Sequence, residues 1–235
     1  MKRLILIGTV HQSTKSYSAL DLYNILESVR PDVIFEELPP ELHEDQKTIK
    51  IPFGEENKSQ ERAANYWYFQ KHHIPIVPVD LPGRNQLYNA SVNKELYIFW
   101  AHLLNDKKTS LEDRNKLNEY FSALKKQKNI CETKTSIEIN SEVMDNLLKI
   151  KRKFLSVTGL ILIDKYSNDQ SLKNYFEEQK KWTEVREKHM VKTIIENMKK
   201  YNHGVFPVGA DHRIGLKEKL INNQNEINVL EYWEQ

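Results

Sequence analysis

Two periods of apolar residues run through this chain, and they divide it into strands and helices. Short β-rich runs stand at 3–8 (RLILIG), 31–38 (PDVIFEEL), 74–82 (IPIVPVDLP), 204–210 (GVFPVGA) and 226–233 (EINVLEYW); the first two, bounded by glycine and proline, read as buried strands, and the others as further strands. Pro75 and Pro78 move the third towards a sheet edge, because proline cannot donate to a ladder. Between the runs the period changes to that of a helix. Leu22, Ile25, Leu26 and Val29 share one helical face that ends before Pro31. Residues 59–72 and 213–222 predict further helices, and Val191, Ile194, Ile195 and Met198 place a long one over about 168 to 200.

Strands alternating with helices predict an α/β protein, with a central mostly parallel or mixed sheet and helices packed on it. The polar, lysine- and asparagine-rich middle keeps helical spacing at Leu117, Tyr120, Phe121 and Leu124. It reads as a helical insertion over one edge of the sheet, about 93–170, within a single domain spanning 1–235. Residues 154–164 (FLSVTGLILID) suit a buried helix or a strand equally.

The composition, 39% hydrophobic and 29% charged, supports a core of ordinary size. With 35 basic and 33 acidic residues and no run of five like charges, nothing points to nucleic acid. The single cysteine, Cys131, excludes an internal disulfide and a cysteine metal cluster, and its polar setting marks it as incidental. The apolar run in MKRLILIG is too short for a secretory signal of about 7–15 apolar residues, and nothing approaches the roughly 18 of a membrane span. The expectation is a cytoplasmic protein.

Chemistry concentrates at strand ends. Gly8 and His11 follow the first strand, and Gly209 and His212 repeat the glycine-x-x-histidine spacing after the fourth. Ligands of open parallel sheets bind in the loops beyond the strands' carboxyl ends, so both imidazoles are expected in one cleft, with each glycine freeing the backbone to turn out of the sheet. Glu36, Glu37 and Asp80 also stand at strand ends, and because side chains alternate, only one of the two glutamates faces the cleft. Two imidazoles and one or two carboxylates suit a zinc, manganese or iron(II) site, and equally metal-free acid–base catalysis. A single histidine after a strand is more often a turn or packing residue than a ligand, and the repetition is what raises these two above that reading. His72 and His73 precede a strand and read as surface or packing, His43, His102 and His189 have no comparable frame, and the aromatics of NYWYFQ read as core.

Five stretches, taken in order, resemble the TraB/Tiki superfamily, which includes TraB-like, PrgY-like and GumN-like proteins. The chain is more distantly similar to erythromycin esterases and ChaN haem-binding lipoproteins. The stretches are LIGTVHQSTKSY, RPDVIFEELPPE, ERAANYWYFQKHHIPIVPVDLPGR, WTEVREKHM and VFPVGADHRIGLKEKL, and residues 93–170 lie outside the resemblance. Asp211 and Arg213 beside His212, and Glu187 after Arg186, depart from the family pattern.

The resemblance implies a site of His11, Glu37, Arg186 and His212, with Glu37 preferred over Glu36 because it precedes Leu38. The superfamily's members range from metal-dependent proteases to metal-free hydrolases and haem carriers, so the resemblance leaves the reaction open, and the first expectation is a metal-dependent hydrolase acting on a peptide or related amide or ester bond. His11, His212 and Glu37 would hold manganese, cobalt or zinc, with Glu37 as third ligand or proton acceptor, and Arg186 would steady a substrate carboxylate or an oxyanion. Asp80, Arg84, Ser16, Glu61 and Asp211 are expected as supporting or substrate-binding residues. The alternatives are a protein that sequesters a peptide or haem without turnover, and a metal-free esterase with His11 as base. The expected partner is a peptide or small molecule, and the insertion suits a lid or a homodimer surface equally.

Overall fold

The computed structural model of the chain describes residues 2–46, 50–55, 59–84, 90–222 and 227–233. Its sheet is wholly parallel, in the order β3-β2-β4-β1-β5. The strands are β1 (Lys2–Thr9), β2 (Val33–Glu36), β3 (Ile76–Pro78), β4 (His203–Gly209) and β5 (Ile227–Leu230). Glu226, at the head of the predicted last strand, lies outside the described residues. The proline-bearing β3 takes an edge, as its composition requires. Pro207 is tolerated in central β4 because the β2 ladder reaches only Val205, two residues earlier.

Alternation along the strands builds a core on each face. Ile5, Ile7, Ile34 and Val205 face α1 (Ala19–Val29) and α3 (Gln60–His72), where Leu22, Leu26, Ala63 and Trp67 meet them. Leu4, Leu6, Val33, Phe35, Phe206 and Val208 face the other way, onto Met190, Val191, Ile194 and Met198 of α9 (Gln170–Met198) and Leu216 and Leu220 of α10 (Ala210–Asn222). The double proline that ends β2 also opens a helix, with Pro40 first in α2 (Pro40–Gln46), where its missing N–H costs nothing.

Residues 90–166 are helical: α4 (Ala90–Asn105), α5 (Leu111–Thr133), α6 (Ser136–Ile139), α7 (Glu142–Lys153), a π-helical turn (Phe154–Thr158) and α8 (Gly159–Tyr166). The ambiguous run 154–164 is therefore helix, with Phe154 and Leu162 buried in a third cluster around Trp100, Leu117 and Phe176. Ile139, Met144 and Leu148 share a core cluster with Ile5 and Ile7 of β1, and a polar contact beside them ties this segment to the sheet. β5 covers β1 only as far as Ile5, and beyond it Asn140 takes the place of a neighbouring strand. Its amide receives the Gly8 N–H at 2.6 Å and donates to the Gly8 carbonyl at 3.1 Å. Among the described residues no helix is long and apolar enough to cross a membrane.

Candidate functional site

The carboxyl ends of β1, β2, β3 and β4 converge on Glu37. Its Oε2 accepts the Gly209 N–H at 2.9 Å, and its Oε1 accepts from Arg186 of α9 at 3.0 Å, with His212 Nε2 3.7 Å away. Arg186 also reaches Asp80 through Nε (2.9 Å) and Nη2 (2.7 Å), and Arg84 bonds the same carboxylate. Asp80 is fully buried. Burial alone would raise its pKa, but hydrogen bonding and charge from Arg186, with Arg84, outweigh it and hold Asp80 below the usual carboxylate range. Glu36 points away and meets His43 Nδ1 at 2.8 Å, so alternation separates the two glutamates.

His11 reaches this cluster by a route the sequence reading misassigned. Gly8 and Gly209 both lie in extended strand, and among the described glycines only Gly54 and Gly83 have positive φ. The left-handed residue is His11 itself, at φ 62, with the Gln12 N–H bonded to the Val10 carbonyl across it. Histidine is among the few side chains that tolerate this region, and such strain collects at functional sites. Gly209 is needed for space, since a Cβ there would stand 2.5 Å from His11 Nε2 and 3.4 Å from Glu37 Oε2. The imidazole lies on the bare end of β4, beside Glu37, with its side chain 62% exposed.

Glu61 in the first turn of α3 holds His11 Nδ1 at 2.9 Å, and Thr9 Oγ1 donates to the same oxygen. The Glu61 hydrogen bond raises the His11 pKa to about 9, against the opposing effect of burial. Burial would raise Glu61, but the hydrogen bond and charge of His11 bring it down to about 2.

His212 is placed differently. The last helix starts at Ala210, three residues before the predicted 213, so His212 stands in its first turn and not in a connecting loop. Nε2 faces Arg186 Nη1 at 3.2 Å, and Nδ1 faces Glu187 Oε1 at 3.3 Å. Glu187 is fully buried and also takes Arg152 at 2.7 and 2.9 Å and Lys219 at 2.6 Å. Burial opposes its ionisation, but His212, Arg152 and Lys219 together hold its pKa well below normal. Asp211 turns to Gln127 (2.6 Å) and Lys151 (2.7 Å) on α5 and α7, away from the cluster. Ser16 lies in the β1–α1 loop with its N–H on Thr14 Oγ1, and among the described residues it makes no hydrogen bond to the cleft imidazoles or carboxylates. Burial pushes the Cys131 thiol up to about 11, which leaves it unreactive.

The cleft thus joins His11, Glu37, Asp80, Arg84, Glu61, Arg186 and His212. Sequence reasoning did not find the Arg152–Glu187–Lys219 cluster behind His212. One signal for it was legible, a glycine (Gly215) inside a helix, which marks a close approach. The donor set does not fit a metal held by His11, His212 and Glu37. The Arg186 guanidinium faces both His212 Nε2 and Glu37 Oε1, so a fixed cation already occupies the donor atoms that two of the three side chains would offer an ion. Among the described residues no group of three or more His, Cys, Asp or Glu is placed to hold a metal ion. Gly209→Ala tests the packing of the cleft. It should cost about tenfold to 10²-fold in any His11-dependent activity, because a ring displaced by about 1 Å loses its alignment. The circular dichroism spectrum should stay unchanged, because an exposed ring can swing aside.

No family model, curated protein or solved structure matches the chain.

Proposed function

We propose that the cleft hydrolyses an ester or amide bond of a peptide or small molecule, with His11 as the proton acceptor and no step through a metal. The observation that supports this most is the state of the two imidazoles. His212 is enclosed between Arg186 and Glu187, whereas the His11 side chain is 62% exposed and is oriented through Nδ1 by Glu61. That is the arrangement of a general base with an orienting carboxylate. Water attacks the substrate carbonyl carbon and gives its proton to His11 Nε2. The imidazolium then protonates the departing alkoxide or amine, leaving an acid and an alcohol or amine. Arg186 and Arg84 lie beside Glu37 and are the cations offered to the negative charge that develops on the carbonyl oxygen.

The test is kcat/KM on aryl esters and short peptides across pH, with and without a chelator. A protonated imidazole cannot accept a proton, so the rate should rise about tenfold per pH unit and level off above about 9. Glu61→Gln removes the main cause of the raised value, so the midpoint should fall towards about 6.5 while the plateau rate drops. Activity lost to the chelator and restored by manganese, cobalt or zinc would overturn the metal-free step. Saturable peptide binding without turnover, or a Soret band after haem is added, would overturn hydrolysis altogether.

A further inference from the structure

Gly215 stands in the interior of α10, one turn beyond His212, where glycine weakens a helix relative to alanine. A Cβ at this position would fall on the guanidinium of Arg152. Arg152 comes from the last turn of α7, lies across the bare helix backbone, and presents Nη1 and Nη2 to the two oxygens of Glu187 at 2.7 and 2.9 Å. Glu187 in turn meets His212 Nδ1 at 3.3 Å, and Arg186 Nη1 meets His212 Nε2 at 3.2 Å. A carboxylate only accepts and a guanidinium only donates. Both contacts are satisfied by one form of the ring alone, the neutral tautomer with its proton on Nδ1.

We infer that Glu187 and Arg152, with Arg152 seated on Gly215, are positioning residues of the cleft. They fix His212 as a hydrogen-bond acceptor for Arg186, and so aim the other guanidinium nitrogens at Glu37 and Asp80. The insertion thereby supplies a residue on which the site depends. The histidine-x-x-glycine spacing acquires a physical reason, since the glycine one turn on admits the arginine that holds the acid that orients the histidine. The kinetic consequence rests on the hydrolytic reading, but the tautomer does not.

The tautomer is read directly from long-range proton–nitrogen correlation spectra of the full chain labelled with nitrogen-15 histidine, with His212 assigned by its absence in His212→Asn. In the wild type at neutral pH, Nδ1 should give the signal of a protonated nitrogen and Nε2 that of a bare one. Glu187→Gln should preserve this form, because the amide oxygen still accepts. Glu187→Leu should lose it, leaving the two tautomers comparably populated. Gly215→Ala displaces Arg152 without changing any charge and should give the same loss, and it serves where Glu187→Leu does not fold. An Nε2-protonated or imidazolium His212 in the wild type would overturn the inference. So would an unchanged Nδ1–H form in Glu187→Leu or Gly215→Ala. If the tautomer holds and no substrate is turned over, the hydrolytic reading fails and the positioning role stands.

Discussion

Replacing His11 with asparagine should lower hydrolysis by about 10²–10⁴-fold, the usual contribution of a positioned general base. Asparagine is the informative substitution because it tolerates the left-handed backbone that His11 adopts at φ 62, whereas a β-branched residue would add strain to the lost chemistry. The fold should persist, since the side chain is mostly exposed and the backbone contact that locks the loop, Gln60 N–H to the His11 carbonyl at 2.8 Å, survives. The cost in stability should depend on pH. His11 is raised in the folded state, so its contribution is complete below about 6.5 and fades as pH climbs through about 9. Glu61 is lowered, so its contribution is complete above about 4.3 and fades as pH falls towards about 2. The melting difference between wild type and His11→Asn should therefore be largest between about pH 4.5 and 6.5 and shrink on either side. Kinetics at pH 9 beside melting curves across this range check both halves. Wild-type rates in His11→Asn would remove His11 from the chemistry.

Replacing Arg213 with leucine should cost about 3 kcal/mol, the low end of the range for breaking a buried ion pair. Arg213 is 1% exposed on α10, bonds Asp145 of α7, and reaches Glu231 beyond β5 at 2.5 Å. It ties the insertion, the last helix and the chain end together. The low end applies because Glu231 keeps Lys217 at 2.5 Å and because burial already pushes Asp145 up despite the arginine beside it. Once its partner is gone, Asp145 can take up a proton and escape a buried charge. The deficit should accordingly narrow in acid and widen as pH rises through the carboxylate range. At about 2–4 °C per kcal/mol for a chain of this size, the melting temperature should fall by about 6–12 °C. Arg213→Leu combined with Asp145→Leu should recover most of it. A single variant that melts with the wild type would mean that the pair has no net worth.

Four of the strands were legible because β1 to β4 are short apolar runs closed by glycine or proline, and Pro75 and Pro78 push β3 towards an edge. Glu37 could be separated from Glu36 because a strand alternates its side chains. Three things were not legible, each for a physical reason. The run 154–164 carries apolar residues on its exposed side as well, with Val157 53% and Ile161 54% exposed while Phe154 and Leu162 are buried, and so shows no clear period to read. The purpose of Gly209 lies in a ring 198 positions away along the chain, and spacing alone suggested a turn. Paired arginines look like surface charge until their partners are known. Half-buried Arg152 and buried Arg213 find theirs in Glu187, Asp145 and Glu231, which are distant in sequence and adjacent only after folding.

The bare patch of helix at Gly215 has a consequence for anyone recombining this chain. A chimera that replaces residues 90–166 with a foreign helical segment would lose Asn140 from the β1 edge and Asp145 from buried Arg213. Even with those restored, it would leave Glu187 without its forked partner, over a furrow in α10 that nothing fills. The segment and the last helix form one unit of inheritance, and only exchanges that move Arg152 and Gly215 together should carry the cleft across intact.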